Sequence, residues 1–321
     1  MSVVVDKIIE KKINQEVFAA VLQKIAEQDR DLIVVTSDSR GSGKLVGFGN
    51  ALPEQIVEVG IAEQNLVGVA AGLASAGKKV FAISPACFLT ARALEQIKND
   101  VAYSNNPVKL VGISAGVSYG ALGTTHHSLH DFAVLRAIHN ITIVVPADAY
   151  ETEAAVREAV ATNAPVYLRF GKKAMPLLTT DEKVDFKFGK GRVIKRGKSV
   201  AIIANGETVY PSLRAAEKLE AEHGIRATVV SMHTIKPLDV VLLKKLADDT
   251  ESIITIEEHM INGGLGEACA SYLLQNGYKK PFKIMGIPDE YTVTGSQTEI
   301  LNHYGISEVG IAGEVLKLLG V

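Results

Sequence analysis

The chain has 321 residues, of which 47% are hydrophobic and 22% are charged, and its formal net charge is −2. This length suits two domains of roughly 150 residues each, and a near-neutral charge without long Lys/Arg blocks argues against a nucleic-acid or membrane-surface partner. The two cysteines lie far apart in the sequence, which predicts a reduced protein. The sequence shows neither a signal-peptide pattern nor an apolar run of ~20 residues, so we expect a cytoplasmic protein without a membrane span.

The first half of the chain alternates short β-branched runs with helical patterns. Strands are predicted at 32–36, 80–84, 108–114, 141–145 and 165–170, and helices at 14–28, 62–76, 91–103 and 150–162. Strands that are continuous apolar runs, each followed by a helix, are typical of a parallel sheet covered on both faces. The first half is therefore predicted to be an α/β domain.

A second alternation of strands and helices follows a segment with no clear period. The segment 173–190 is rich in Lys, Asp, Thr and Phe and is predicted to be a linker. Beyond it, strands are predicted at 200–204, 226–231, 252–257 and 282–287, and helices at 211–222, 238–247, 266–275 and 311–319. The predicted fold class is therefore two consecutive parallel-sheet α/β domains, at 1–172 and 191–321.

Glu63 lies at the start of an unusual helix. Residues 66–76 contain no charged side chain, and a helix that is apolar all round is a buried one. Glu63 is thus predicted at the buried mouth of a core or interface helix, where burial favours a neutral carboxyl that can exchange a proton with a heterocyclic base. The simpler interpretation is a first-turn carboxylate that suits the helix dipole.

The loop at 114–131 is the second candidate for chemistry. At about 18 residues it is long for a connection inside a domain, and long loops often carry function. It contains His126, His127 and His130, which are suited to bind a substrate oxyanion or relay a proton. A metal site is the alternative, but no distant Cys or Glu cluster completes a ligand set.

Several short motifs, in their order along nearly the whole chain, resemble the transketolase family. In the first domain they are Gly-Ile-Ala-Glu-Gln (60–64), Ala-Arg-Ala-Leu-Glu-Gln-Ile (91–97), Gly-Thr-Thr-His (123–126) and Tyr-Leu-Arg (167–169). In the second they are Thr-Ile-Lys-Pro-Leu-Asp (234–239), Glu-Glu-His (257–259) and Gly-Gly-Leu-Gly (263–266). This second set resembles the C-terminal domain shared by transketolases, 1-deoxyxylulose-5-phosphate synthases and the β subunits of 2-oxoacid dehydrogenases.

The resemblance implies thiamine diphosphate as the cofactor. Glu63 matches the acid that faces the aminopyrimidine ring, and Phe88 and Ile61 match residues that pack beside this ring. His126 matches a histidine that hydrogen-bonds the substrate oxygen as charge moves onto it. Ser42 and Arg169 match a pair that binds the substrate phosphate; the simpler interpretation of Arg169 is an ordinary charge at a strand end.

An absent motif is equally informative within this resemblance. The family holds the cofactor diphosphate through Mg²⁺ with a Gly-Asp-Gly motif and a downstream Asn, and no Gly-Asp-Gly occurs in this sequence. The resemblance therefore implies one half of a split enzyme, whose N-terminal partner chain holds the metal while the cofactor is shared. An α2β2 assembly is expected, and the uncharged helix at 66–76 suits such an association.

Four positions depart from the family pattern and limit the substrate assignment. Ser114 stands where a second pocket histidine is usual, and Ala121 and Leu122 replace a Glu-Asp pair whose Asp reads the stereochemistry of the sugar. Pro85 replaces an aromatic residue near the pyrimidine. His127 or His130 is suited to supply the second pocket histidine. We therefore include His127 among the predicted substrate contacts, together with Ser114, which occupies the position of that histidine.

The leading prediction is the C-terminal subunit of a two-chain transketolase that moves a two-carbon ketol unit between sugar phosphates. The alternatives within enzymes are a transketolase-like protein for an altered sugar, or half of a 1-deoxyxylulose-5-phosphate synthase or a 2-oxoacid dehydrogenase β-like chain. A partner subunit without catalysis is the alternative from another class.

Overall fold

The computed structural model describes residues 11–178 and 186–321, and its strands and helices follow the predicted alternation. The strands are β1 (Lys11–Ile13), β2 (Leu32–Thr36), β3 (Ile56–Glu58), β4 (Lys79–Pro85), β5 (Lys109–Ile113), β6 (Thr142–Val144), β7 (Val166–Arg169), β8 (Ala174–Pro176), β9 (Arg192–Lys195), β10 (Val200–Ala204), β11 (Ala227–Ser231), β12 (Thr234–Lys236), β13 (Ser252–Met260) and β14 (Phe282–Ile287). The helices are α1 (Asn14–Ala26), α2 (Val46–Ala51), α3 (Glu63–Ser75), α4 (Ala86–Arg92), α5 (Leu94–Gln96), α6 (Asp131–Arg136), α7 (Ala149–Ala161), α8 (Val209–His223), α9 (Val240–Asp249), α10 (Leu265–Gln275), α11 (Gln297–His303) and α12 (Glu308–Leu319).

The first domain is built on a seven-stranded sheet in the order β12-β6-β7-β5-β4-β2-β3. Every pairing in it is parallel except that of β12 with β6. Apolar side chains of α1 and α7 pack on one face, and those of α3 and α6 pack on the other. The strands are buried on both faces because helices cover both, which confirms the predicted parallel α/β layer.

The second domain contains a five-stranded sheet in the order β14-β13-β10-β11-β9. The edge strand β9 runs antiparallel to β11, and the other pairings are parallel. Helices α8 and α12 cover one face of this sheet, and α9 and α10 cover the other. The two α/β domains predicted from the alternating pattern are thus both present.

Three features of the fold differ from the predicted elements. Strand β12, which comes from the second segment, is added to the sheet of the first domain, and β8, inside the predicted linker, pairs with β1. Residues 179–185 of that linker lie outside the described part of the chain. The predicted helix at 91–103 is a series of shorter turns: α4, α5 and a π-helical segment, Ile97–Tyr103.

Helix α3 is only half covered within this chain. Its inner face, which includes Leu66, Ala70 and Ala74, is buried, whereas Gln64 and Gly72 on the outer face are exposed. Of the two predicted alternatives, a core helix is therefore wrong, because no element of the described chain packs on that outer face, whereas an interface helix stays a prediction. Across the described residues, no helix combines the length and hydropathy that crossing a bilayer requires.

Candidate active site

The loops that follow the parallel strands meet at the carboxyl edge of the first sheet. Glu58, at the end of β3, accepts hydrogen bonds from Thr36 Oγ1 at 2.8 Å, Asp38 N at 2.7 Å and Gly60 N at 3.0 Å. Burial alone would raise the pKa of Glu58, but these hydrogen bonds outweigh it and the pKa is lowered. An ionised Glu58 thus ties the loop after β2 to the segment that leads into α3.

Glu63 is the first residue of α3, and its side chain is buried. Its partner is Arg92, the last residue of α4, whose Nη1 lies 2.9 Å from both carboxylate oxygens. The same guanidinium lies over the ring of Phe88, with 4.3 Å between its Cζ and the ring centroid. Sequence reasoning gave Arg92 no role, although its position four residues after Phe88 on a helix was a usable signal.

His126 lies beside Phe88 on this surface. The two rings meet edge to face with their centroids 5.3 Å apart, and Tyr119 contacts His126 in the same way at 5.4 Å. Thr125 Oγ1 lies 3.0 Å from Nδ1 of His126. Among the described residues no hydrogen bond reaches Nε2, so that nitrogen is available to a ligand.

Gln15 and Tyr119 connect Ser42 and Ser114 to the surroundings of His126. The Gln15 amide accepts from Ser114 N at 2.8 Å and donates to the Ser42 carbonyl at 3.2 Å. Tyr119 hydrogen-bonds the side chain of Ser114, and Lys172 Nζ lies 4.0 Å from the Tyr119 ring centroid. Sequence reasoning missed Gln15, Tyr119 and Lys172, because only the tertiary fold makes them neighbours.

A second lysine lies close to Lys172. Partial burial lowers the pKa of Lys172, and the charge of Lys44 lowers it further. Lys44, two residues after Ser42, also forms a 3.0 Å ion pair with Glu16. These two ammonium groups place positive charge at the Ser42 end of the surface, and Glu16 offsets part of it.

Arg169 and His127 have different surroundings from those predicted. Arg169 is buried, and it donates to Asp131 Oδ2 at 2.8 Å and to the carbonyls of Ser128 at 3.1 Å and Glu258 at 2.8 Å. This placement corrects the predicted phosphate contact, because these bonds hold the guanidinium inside the protein. Burial would raise the pKa of Asp131, but the charges of Arg169 and His259 and the hydrogen bonds from Arg169 and Tyr167 together outweigh burial, so the pKa is lowered.

His127 is likewise an internal contact. Its Nδ1 lies 2.9 Å from Thr292 Oγ1 and its Nε2 lies 3.0 Å from the Gly120 carbonyl. Burial lowers its pKa. The neutral ring therefore joins loop 114–131 to the second domain, which corrects the prediction that it faces the substrate.

Two buried carboxyl groups of the second domain hold backbone N–H groups of the first domain. Glu258 accepts from Val117 N at 2.9 Å, and Glu207 accepts from Lys173 N at 2.8 Å. One amide links them: Gln297 Nε2 lies 2.7 Å from Glu207 Oε2 and 3.0 Å from Glu258 Oε1. Sequence reasoning saw Glu258 only as part of a family motif.

The other residues singled out in the sequence differ in their exposure. Ile61 is 72% exposed and Leu122 is 58% exposed, while Pro85 is the residue before α4. His126 and His130 have separate partners, Thr125 and Thr90. Within residues 11–178 and 186–321, no three His, Cys, Asp or Glu side chains are grouped as metal ligands.

The arrangement fits one end of a planar, nitrogen-containing ring. Such a ring needs a carboxylate to receive an N–H group and an aromatic face to pack on, and the planar guanidinium of Arg92 makes both contacts with Glu63 and Phe88. His126 Nε2 adds a group for a reacting oxygen. The fold and site thus define a two-domain α/β protein in which a carboxylate, an aromatic ring and an imidazole lie close together at the carboxyl edge of the first sheet.

Comparison with family models identifies both domains. Residues 11–176 match the transketolase pyrimidine binding domain, and residues 189–311 match the transketolase C-terminal domain. The chain belongs to the transketolase family. The resemblance predicted from the motifs is therefore confirmed.

Similar proteins include two that are of nearly the same length. The chain is 48% identical over 302 residues to a protein of Phocaeicola vulgatus described as a subunit of apulose-4-phosphate transketolase, covering 94% of this chain and 96% of that protein. It is 37% identical to a putative transketolase C-terminal section of Methanocaldococcus jannaschii, covering 94% of each. A 1-deoxy-D-xylulose-5-phosphate synthase of Syntrophus aciditrophicus is 36% identical, but the match spans only 47% of that protein.

Solved structures agree with these relatives. A structure described as a split gene transketolase, inactive beta4 tetramer, superimposes with a TM-score of 0.85 and 36% identity, covering 97% of this chain and 99% of the other. A transketolase variant from Pichia stipitis gives a TM-score of 0.80 at 21% identity over 46% of its length. The second likeness shows the shared fold alone.

Proposed function

We propose that this chain is the C-terminal subunit of a two-chain, thiamine-diphosphate-dependent enzyme that transfers a two-carbon ketol unit between sugar phosphates. Length supports this proposal: the matches to two apulose-4-phosphate transketolase subunits cover 96% and 92% of those proteins, whereas the match to a full-length synthase covers about half of it. The main supporting observation is that Arg92 contacts both Glu63 and Phe88 and that His126 contacts Phe88, while the described residues contain no group of three metal-ligating side chains.

The residues of this chain have separate tasks in the proposal. Glu63 receives and returns a proton at a ring nitrogen of the cofactor, and Phe88 and Ile61 pack beside the ring. Thiamine diphosphate, when bound, supplies the electron sink that allows a ketose C–C bond to break. His126 Nε2 hydrogen-bonds the substrate oxygen on which charge develops.

The phosphate group of the substrate is assigned to the Ser42 end of the surface. Ser42 and Ser114 lie there with Lys44 and Lys172, whose positive charges suit a phosphate. Arg169 supports this end indirectly, because it holds the loop that contains His126.

A partner chain completes the proposed site. Among the described residues no group of acidic or histidine side chains is arranged to hold a metal, and the sequence has no Gly-Asp-Gly motif. The similar split-gene transketolase is described as an inactive beta4 tetramer, which is consistent with a need for the other chain. We therefore infer that a partner chain holds Mg²⁺ and the cofactor diphosphate in an α2β2 assembly.

An altered sugar is the second candidate for the substrate. Leu122 replaces the Asp that reads sugar stereochemistry in the family pattern, and two relatives are described as apulose-4-phosphate transketolases. A panel of ketose phosphates that includes apulose 4-phosphate, with pyruvate as a separate donor, distinguishes ketol transfer from synthase chemistry. Product formed only from pyruvate would favour the synthase alternative.

Glu63→Gln tests the proposed function in the two-chain complex. We expect turnover to fall at least ~100-fold, because the amide cannot exchange the proton, while the complex keeps its mass and circular dichroism. Glu54→Gln, at an exposed site outside this surface, is the matched control and is expected to keep parental turnover. Near-parental turnover in the Glu63 variant would contradict the assigned role.

A further inference from the structure

The part of loop 114–131 that contains His126 is a series of tight turns. Gly123 N donates to the Gly120 carbonyl at 3.0 Å, which closes the first turn. The N–H groups of His126 and His127 then donate to the Gly123 carbonyl at 2.9 and 3.2 Å. The backbone of His126 is therefore placed relative to Gly120, the residue at which these turns begin.

The buried ring of His127 joins these turns to the second domain. Its Nε2 lies 3.0 Å from the Gly120 carbonyl, and because a carbonyl only accepts, Nε2 carries the ring hydrogen. The neutral ring then has a lone pair on Nδ1, which lies 2.9 Å from Thr292 Oγ1 and accepts the hydrogen of that hydroxyl. Thr292 and Gly120 thus hold the ring through its two nitrogen atoms.

The segment that contains Thr292 is anchored on the second domain. Val293 packs against the apolar core of that domain, and its N–H donates to Tyr304 Oη at 3.3 Å. Ser296 and Glu299 form a capping box at the start of α11, with Ser296 N donating to Glu299 Oε2 at 2.8 Å. The Thr292 side chain therefore extends from a backbone that the second domain fixes.

The same two segments also approach each other through their backbones. Gly120 has a φ of +52°, and a Cβ built on it would lie only 3.0 Å from the Gly295 carbonyl oxygen. Glycine permits this close approach at position 120. His126 thus lies between two points at which the second domain contacts its loop, Gly120 and His127.

We propose that Thr292 is a positioning residue of the candidate active site, which acts through His127 to fix the place of His126 Nε2. This inference rests on the proposed function, in which that nitrogen hydrogen-bonds the substrate oxygen on which charge develops. A displacement of about 1 Å at such a group is sufficient to lower turnover ~100-fold. The second domain thus takes part in the reaction without contacting the substrate.

Thr292→Val in the two-chain complex tests this role, because valine keeps the branched shape and removes the hydroxyl. We expect kcat to fall about tenfold with little change in KM, since the contact made by His126 strengthens in the transition state. Thr292→Ser restores the hydroxyl and should recover most of the lost kcat. Thr294→Val, at an exposed threonine of the same segment, is the matched control and should keep the parental kcat.

A second background separates positioning from a merely structural effect. In His126→Gln no imidazole remains to be positioned, so adding Thr292→Val should lower kcat little further. A variant that only destabilises the complex would lower kcat by the same factor in both backgrounds, which the four kcat values of the cycle reveal.

A third measurement on the full chain needs no turnover. Diethyl pyrocarbonate acylates accessible imidazole nitrogens, and peptide mass spectrometry locates the modified histidine. We expect slow modification of His127 in the parent, because its ring is buried and both nitrogens are bonded. Thr292→Val should make it several times faster relative to the exposed His139 of the same sample, whereas Thr292→Ser and Thr294→Val should not.

Four outcomes would overturn the positioning role: a parental kcat in Thr292→Val, no recovery in Thr292→Ser, equal losses in the two backgrounds, or unchanged protection of His127. Failure of the proposed function is distinguishable, because it shows as near-parental turnover of Glu63→Gln and leaves the modification pattern as it is. Thermal unfolding verifies that each variant is folded, and Thr292→Ala replaces Thr292→Val if the valine is not accommodated.

Discussion

Glu63 illustrates how a buried carboxylate is accommodated at the start of a helix. Its side chain is buried whereas that of Arg92 is half exposed, and the guanidinium closes over it from the solvent side. The arginine also packs on Phe88, so one side chain satisfies the acid and covers the aromatic ring. A ligand that uses Glu63 and Phe88 together must share this space with Arg92 or displace it.

Arg92→Ala is therefore expected to lower the free energy of unfolding by about 1 kcal/mol, because Glu63 loses its charged partner while solvent screens the pair. In the Glu63→Gln background the same change should have a smaller effect. Urea denaturation of the parent, both single variants and the double variant measures this coupling. Additive effects of the two substitutions would show that the pair does not interact.

Gly116 allows the second domain to approach loop 114–131. Its φ is +64°, and a Cβ there would overlap the carboxyl group of Glu258. Glycine is thus required both for its backbone conformation and for its lack of a side chain.

Gly116→Ala is expected to lower the free energy of unfolding by about 2 kcal/mol more than Gly123→Ala. Gly123 is the matched control because its φ is +75° but no atom lies within 4 Å of a Cβ added to its backbone. Chemical denaturation of both variants gives the difference. Equal losses would mean that the close approach of Glu258 has no energetic consequence.

At the scale of elements, one contact between the domains is formed by the carboxyl ends of β10 and β13 together with the start of α11. Glu207, Glu258 and Gln297 come from these three places, and the two acids hold backbone N–H groups of the first domain. Burial and the charge of Glu258 raise the pKa of Glu207 to about 8, and burial raises the pKa of Glu258. The junction therefore binds protons that the unfolded chain releases.

This proton uptake gives stability a definite dependence on pH. A carboxyl whose pKa is raised from 4.5 to about 8 on folding contributes most below pH 4.5, and the contribution is lost as the pH rises toward 8. The melting temperature of the parent minus that of Glu207→Gln should thus fall between pH 5 and pH 8. Glu222→Gln, at an exposed site, is the control and should show no such trend. A constant or rising difference for Glu207→Gln would refute the raised pKa.

At the scale of the whole molecule, the candidate site lies on a face that one chain leaves uncovered. Ile61 and Leu122 are exposed at its edge, and the outer face of α3 exposes Gln64 and Gly72. Exposed apolar side chains beside a functional surface are typical of an interaction face. We expect other subunits to cover this face in the assembly.

Gly72→Arg is expected to weaken self-association of the chain and its pairing with the partner chain, because it places a long charged side chain on the outer face of α3. Gly313→Arg on α12 is the matched control, since Gly313 is also a helical glycine with no atom within 4 Å of an added Cβ. Light scattering after size-exclusion chromatography measures the mass of each variant. A parental mass for Gly72→Arg would exclude this face from the interface.

The sequence by itself determined the layer structure and the family. The runs at 32–36 and 200–204 coincide with β2 and β10, because apolar runs rich in β-branched residues specify a buried strand locally. Motifs around Glu63 and His126 were sufficient to recognise the family. Short edge strands such as β1 and β12 were missed, since their pairing depends on distant partners rather than on a local pattern.

Only the tertiary structure decided which side chains meet. Three contacts join residues that lie 29, 38 and 165 positions apart in the sequence: Arg92 with Glu63, Arg169 with Asp131, and His127 with Thr292. A spacing pattern describes one element, whereas these bonds depend on how several elements pack and which groups they remove from water. For the same reason the sequence alone showed that α3 is apolar, while the packed chain showed which of its faces remains uncovered.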